Sequence, residues 1–136
     1  MSSPEDPLIE IALMELLGQI AEATGGVHAE IAPQNPEAVA PYLIFQRIIT
    51  DRWKSLDGPS DMAQPTFQID SYAPTKIGAL RMKDAVRKLL DGYRGTVAGV
   101  RIGGISIQNE LSTVDETAQP KLFRTMQEYL ITHDEA

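Results

Sequence analysis

Two histidines, nineteen side-chain carboxylates and no cysteine are what this 136-residue chain offers to catalysis or metal binding. Neither His28 nor His133 has a second His or a Cys at metal-ligand spacing, so no zinc or iron site is read here. Exposed, ordinary imidazoles are the expectation for both. Glu5, Asp6, Glu10, Glu15 and Glu22 fit the outer face of a helix, while Asp115, Glu116, Asp134 and Glu135 fit loop and tail positions. Asp70 differs, because it interrupts an otherwise good strand. Acid–base catalysis there needs a partner and a pocket, and a solvent or subunit-interface position accounts for the residue without either. Gly99-Val-Arg-Ile-Gly103-Gly104 is followed by no Gly-Lys-Ser/Thr and opens no helix, so it reads as hairpin geometry rather than a phosphate cradle. No serine stands in a Gly-x-Ser-x-Gly elbow. Catalytic, metal and cofactor-binding residues are therefore all read as none, and no cofactor is implied.

Trp53, the single tryptophan, falls among Arg52, Lys54 and Asp57 in a polar stretch. Its ring either folds back onto the core or presses into another protein, since aromatics beside arginine are enriched at binding hot spots.

The elements that must position these residues follow from periodicity. Ser3-Pro4-Glu5-Asp6 has the chemistry of a helix start, and Ile9, Leu13, Leu16, Leu17 and Ile20 share one face, so a helix is predicted over about 4–24, closed by Gly25-Gly26. A short strand follows over Val27 to Ile31, then a loop broken by Pro33 and Pro36. Tyr42 to Thr50 is a strong strand, with Leu43, Phe45, Arg47 and Ile49 predicted on one face and Tyr42, Ile44 and Ile48 on the other. Asp51 to Ala63 lapses into a polar loop. The next strand, from about Pro65 to Ala73, sets Phe67, Ile69 and Ala73 against Gln68, Asp70 and Tyr72. A second helix is predicted over about 75–91, apolar through Ala79, Leu80, Met82, Ala85, Val86, Leu89 and Leu90, with Arg81, Lys83, Arg87 and Lys88 as a local basic patch. Strands at about Val97 to Ile102 and Ile105 to Leu111 are expected to be joined by Gly103-Gly104. A loop over Ser112 to Pro120 precedes a final strand, Lys121 to His133. The class is α+β: one mainly antiparallel sheet with two helices packed on it, a single domain over 1–136 with a protruding loop at about 51–64.

The bulk numbers bound the function. Apolar residues make up 43%, enough for a core, and aromatics 6%, so that core is aliphatic. No run approaches the roughly 20 apolar residues of a membrane-spanning helix, so no membrane partner is read. A net charge of −7 argues against gripping nucleic acid through its phosphates. Strands apolar on both faces, Tyr42 to Thr50 and Lys121 to His133, need cover on both sides, from a helix or from another subunit.

Ala40-Pro41-Tyr42-Leu-Ile-Phe-Gln-Arg-Ile leads to Leu56-Asp57-Gly58-Pro59-Ser60, then Gln68-Ile69-Asp70-Ser71-Tyr72-Ala73 and a helix containing Ala79 and Val86-Arg87-Lys88-Leu89-Leu90. This order resembles the tail-completion, or tail-terminator, proteins of long-tailed phages and gene transfer agents, over roughly the whole chain. The resemblance implies a ring of copies of this chain, a hexamer, at the head-proximal end of the tail tube. Such a ring stops tube polymerisation and docks the tail on the head. Its partners would be the tail tube protein and the head–tail connector or stopper protein, with DNA passing through the lumen without specific binding. The implied location is the particle tail, assembled in the bacterial cytoplasm. By position, the segment Trp53 to Ser60 matches the family's extended loop, though the Trp itself belongs to no family pattern; Arg52, Trp53, Lys54, Leu56, Asp57, Gly58, Pro59 and Ser60 become the candidate subunit-interface residues. The rival readings are a head–tail joining or minor tail protein, and a small cytoplasmic enzyme or ligand-binding domain with a pocket lined by Tyr72, Asp70 or His28.

Overall fold

A computed structural model describes residues 8–29, 40–54, 61–115 and 122–134. Its elements run α1 (Leu8–Leu17), β1 (Val27–Ala29), β2 (Tyr42–Lys54), β3 (Asp61–Ala73), α2 (Lys76–Leu90), β4 (Gly95–Val97), β5 (Val100–Asp115) and β6 (Leu122–Asp134). The strands form one sheet in the order β1-β2-β3-β6-β5-β4. β1 pairs parallel with β2 and the other neighbours pair antiparallel, so the sheet is mixed. α1 touches β1 at one edge and β4 and β5 at the other. Six strands about 4.8 Å apart span more than twice the roughly 10 Å width of a helix. One helix meets both edges because the sheet curls around it.

Register shows that both helices lie on one face. Phe67 of β3 stands opposite Arg47 of β2 and Tyr129 of β6. Arg47 reaches α1 through Glu10. Two residues before Tyr129, and so on the same face, the Gln127 side chain donates to the Lys83 carbonyl of α2. This face holds the core: Leu43, Phe45, Phe67, Ile69, Tyr129 and Ile131 of the sheet against Ile9, Leu13, Leu16 and Leu17 of α1 and Met82, Val86 and Leu90 of α2. The predicted helical stripes are the buried ones. α2 begins at its cap, where the Thr75 hydroxyl accepts from the Gly78 amide.

Several predicted boundaries move. α1 stops at Leu17 rather than near Thr24; residues 18–26 continue as a chain of turns, with Ile20 donating to Leu17, Ala23 to Ile20 and Gly26 to Ala23. Gly18, the poorest helix former after proline, stands where the helix ends. The predicted start before Leu8 lies outside the described residues. β2 runs on to Lys54 and β3 begins at Asp61, so most of the predicted 51–64 loop is a hairpin stem. Pro65 lies within β3 instead of opening it, at a point where no pairing to β6 is made. A bulge between Arg47 and Ile49 shifts the register, so Ile49 faces away from Leu43, Phe45 and Arg47. β5 is continuous through Gly103-Gly104, where another bulge falls. The turn lies earlier, at Ala98-Gly99, with φ of 50° and 80°. Two residues at positive φ between the paired Val97 and Val100 make the mirror-image turn whose twist suits a hairpin.

Candidate functional site

Away from the helices the sheet presents a second face, and the ladder pairs order it into rows. Tyr42, Tyr72 and Arg124 make one row, and Ile44, Asp70, Met126 and Leu111 the next. Gln46, Gln68, Glu128 and Asn109 follow, then Ile49, Thr66, Leu130 and Ser106. Among the described residues no helix or strand covers this face. The third of these rows is wholly polar and the others mix apolar with polar side chains, and Ile49 and Leu111 are 57% and 53% exposed.

Its centre is an ion pair. Asp70 is only 6% exposed, accepting from Arg124 Nη2 at 2.9 Å and from Gln68 Nε2 at 3.1 Å. Burial raises its carboxyl above the ordinary value, and Arg124 and Gln68 oppose that rise without cancelling it. The Arg124 guanidinium lies over the Tyr72 ring, Tyr72 stacks on Tyr42, and His28 meets Tyr42 edge-on. His28 is half-buried, its Nε2 within 3.1 Å of the Gly25 carbonyl. Tyr72, Asp70 and His28 are thus drawn into one row-to-row network, but as packed neighbours rather than the walls of a pocket.

The cavities lie elsewhere. One, of about 170 Å³, sits between the start of α2 and the ends of β5 and β6, lined by Lys76, Ala79, Leu80, Ser112, Phe123, Arg124 and Thr125. A shallower one opens at Arg94, Thr96 and Arg101 around the β4–β5 hairpin. Among the described residues no three His, Asp or Glu side chains gather as a metal site would require.

Of the candidate interface residues, Arg52, Trp53 and Lys54 are strand residues, paired with Ala63, Met62 and Asp61. Leu56, Asp57, Gly58, Pro59 and Ser60 lie outside the described residues. His133, expected to be exposed, is 6% exposed, paired with Ala63 and Ile102 on the core side. The expectation failed because His133 falls on the core-facing side of β6, in the same alternation as Tyr129 and Ile131.

Sequence reading missed the tie between Glu10 and Arg47. Glu10 was assigned to an outer helix face, yet its two oxygens accept from Arg47 Nη2 at 2.8 Å and Nε at 3.0 Å, and the guanidinium lies over Phe67. An arginine on the apolar face of a strand was the available signal, since such a charge needs a partner.

Residues 11–134 match the family described as tail completion protein gp17. The chain belongs to that family. It is accordingly a structural protein of a phage-type tail, and interacts there with other particle proteins. Among solved structures, a chain in one titled "Virion of native gene transfer agent (GTA) particle" is similar in fold, with a TM-score of 0.58 and 18% identity over 90% of this chain and 84% of that one. No curated protein sequence matches the chain.

Proposed function

We propose that this tail completion protein is the tail terminator: a ring of copies, six in number, seated on the head-proximal end of the tail tube. The ring ends tube polymerisation and offers the surface on which the head connector docks. The observation that supports this reading best is the sheet's one-sided cover. Both helices lie on one face, and the other keeps exposed Ile49 and Leu111 with no element over it among the described residues. A ring supplies that cover by repeating one heterologous contact until it closes.

In this reading the protein acts by binding, without catalysis or cofactor. The segment Arg52 to Ser60, which begins in the last residues of β2, reaches a neighbouring subunit or ring. The ring assembles in the bacterial cytoplasm and becomes part of the tail, meeting the tail tube protein below and the connector or stopper protein above. The net charge of −7 suits a lumen through which DNA slides, because like charge repels phosphate instead of holding it. The experiment is electron microscopy of tails assembled with and without the protein. Overlong tubes in its absence, and label at the head-proximal end in its presence, support termination. Tubes of normal length, or label at the distal end, refute it; distal label would favour a minor tail role.

A further inference from the structure

The two long edges of the sheet are only partly covered. β4 pairs with β5 at Val100 to Ile102, and the turn after α2 takes the next groups: Gly92 N–H donates to the Ile105 carbonyl, and Ile107 N–H to the Asp91 carboxylate. From Gln108 to Asp115, β5 has β6 on one side and, among the described residues, no strand on the other. At the opposite edge β1 pairs with β2 at Leu43 to Phe45, leaving Gln46 to Lys54 paired to β3 alone among the described residues. Uncovered backbone of this kind is a template for another strand.

Beside the β5 stretch lies the 170 Å³ cavity. Ser112 of β5 forms part of its wall, Ala79, Leu80 and Phe123 make it largely apolar, and the buried Thr125 hydroxyl beside it finds no hydrogen-bond partner among the described residues. An added strand brings two things at once: main-chain groups for the edge, and alternate side chains of which one face turns toward the helices and the cavity.

The occupant is fixed by strand direction. Three antiparallel pairings separate β2 from β5, so these two strands run in opposite senses. A second copy related by rotation about an axis along the strands keeps its helices on the same side. It sets its own β2 antiparallel beside β5 of the first. The β2 stretch also carries Ile48 and Ile49, 47% and 57% exposed. Ile49 lies in the row of Ser106 and Leu111 in the row of Ile44, so joining the two free stretches staggers neighbouring copies along the strands. A sheet that closes on itself needs such a stagger.

We infer that copies of this chain join by strand addition, Gln46–Lys54 of one against Gln108–Asp115 of the next, with a β2 side chain filling the cavity beside Thr125. This rests on the ring reading above and specifies its contact: Ile49 of one copy and Leu111 of the next meet at the rim of the bare face, so the joint covers those side chains and not the face as a whole.

The test compares amide hydrogen exchange in tails carrying the protein with the dilute isolated chain, alongside an Ile49→Cys/Leu111→Cys double variant oxidised in assembled tails. The chain has no native cysteine to confuse the result. Protection of both stretches on assembly, and a covalent ladder from the double variant that neither single variant gives, are the expected results. A ring seen by microscopy in which both stretches exchange as in the isolated chain overturns strand addition and leaves the ring standing. Absence of any ring removes both.

Discussion

Asp70 places a carboxylate on the helix-free face with almost no access to water. Its pKa is raised because burial outweighs the attraction of Arg124. The consequence for stability has a definite sign. A carboxyl with a raised folded-state pKa binds its proton more tightly when folded, so ionising it costs stability as pH climbs above 3.8 through the folded value. Asp70→Asn should therefore gain on the parent as pH rises through that window, and its relative advantage should vanish at more acid pH. Urea unfolding of both proteins across this range checks it; an advantage that grew toward acid pH would reverse the assignment. Tyr129 is a second buried polar group, its hydroxyl without a partner among the described residues and its pKa pushed up by burial and by Glu110 and Asp91. Tyr129→Phe removes an unsatisfied hydroxyl and should stabilise by about 1 kcal/mol. A loss of similar size in thermal melts would mean that the hydroxyl is bonded after all.

Between elements, α1 is held to the sheet by apolar packing and by the two-pronged Glu10–Arg47 pair, whose side chains are 25% and 29% exposed. Partial burial and the stacking on Phe67 should lift its coupling above that of a surface pair, to about 1 kcal/mol in a double-mutant cycle of Glu10→Gln with Arg47→Met. Additive single effects would show that packing alone seats the helix. The Ala98-Gly99 turn carries a different strain, because Ala98 holds a φ of 50° that side chains disfavour. Ala98→Gly should stabilise the hairpin by about 1 kcal/mol, read from the urea midpoint. These elements also show how far the sequence could be read. The buried stripe Ile9, Leu13, Leu16 and Leu17 and the two faces of β3 follow from spacing, because burial on one side imposes a period. The turn at Ala98 and the reversal of Ile49 did not follow. A bulge adds one residue without leaving a compositional mark, and alanine does not announce a left-handed turn. Asp51 to Lys54 looked like loop because strand pairing with Asp61 to Gln64 is a non-local gain that local polarity hides. The Asp70–Arg124 network was not legible, since register alone brings its members together.

At the scale of the molecule, the proposed ring would separate folding from assembly across the sheet. Its helix side carries the core, so substitutions there report on stability. Its bare side carries Ile49 and Leu111, already largely in water in the single chain, and removing their apolar surface should cost the monomer little. In the proposed ring they matter for assembly, because a charge placed in a repeating joint would be desolvated once per contact. Leu111→Glu should thus leave the unfolding midpoint of the isolated chain within the roughly 0.5 kcal/mol usual for surface changes, yet yield overlong or headless tails when it replaces the parent protein. Arg81→Gln, on the exposed side of α2 and outside the proposed joint, lowers the net charge by the same single unit, serves as the charge-matched control and should terminate tails normally. Normal tails with Leu111→Glu would show that Leu111 lies outside any joint in the particle. Failure of both variants would mean that one further unit of negative net charge alone, on a chain already at −7, prevents assembly. Only the split between the two assigns Leu111, at the rim of the sheet's free side, to the joint.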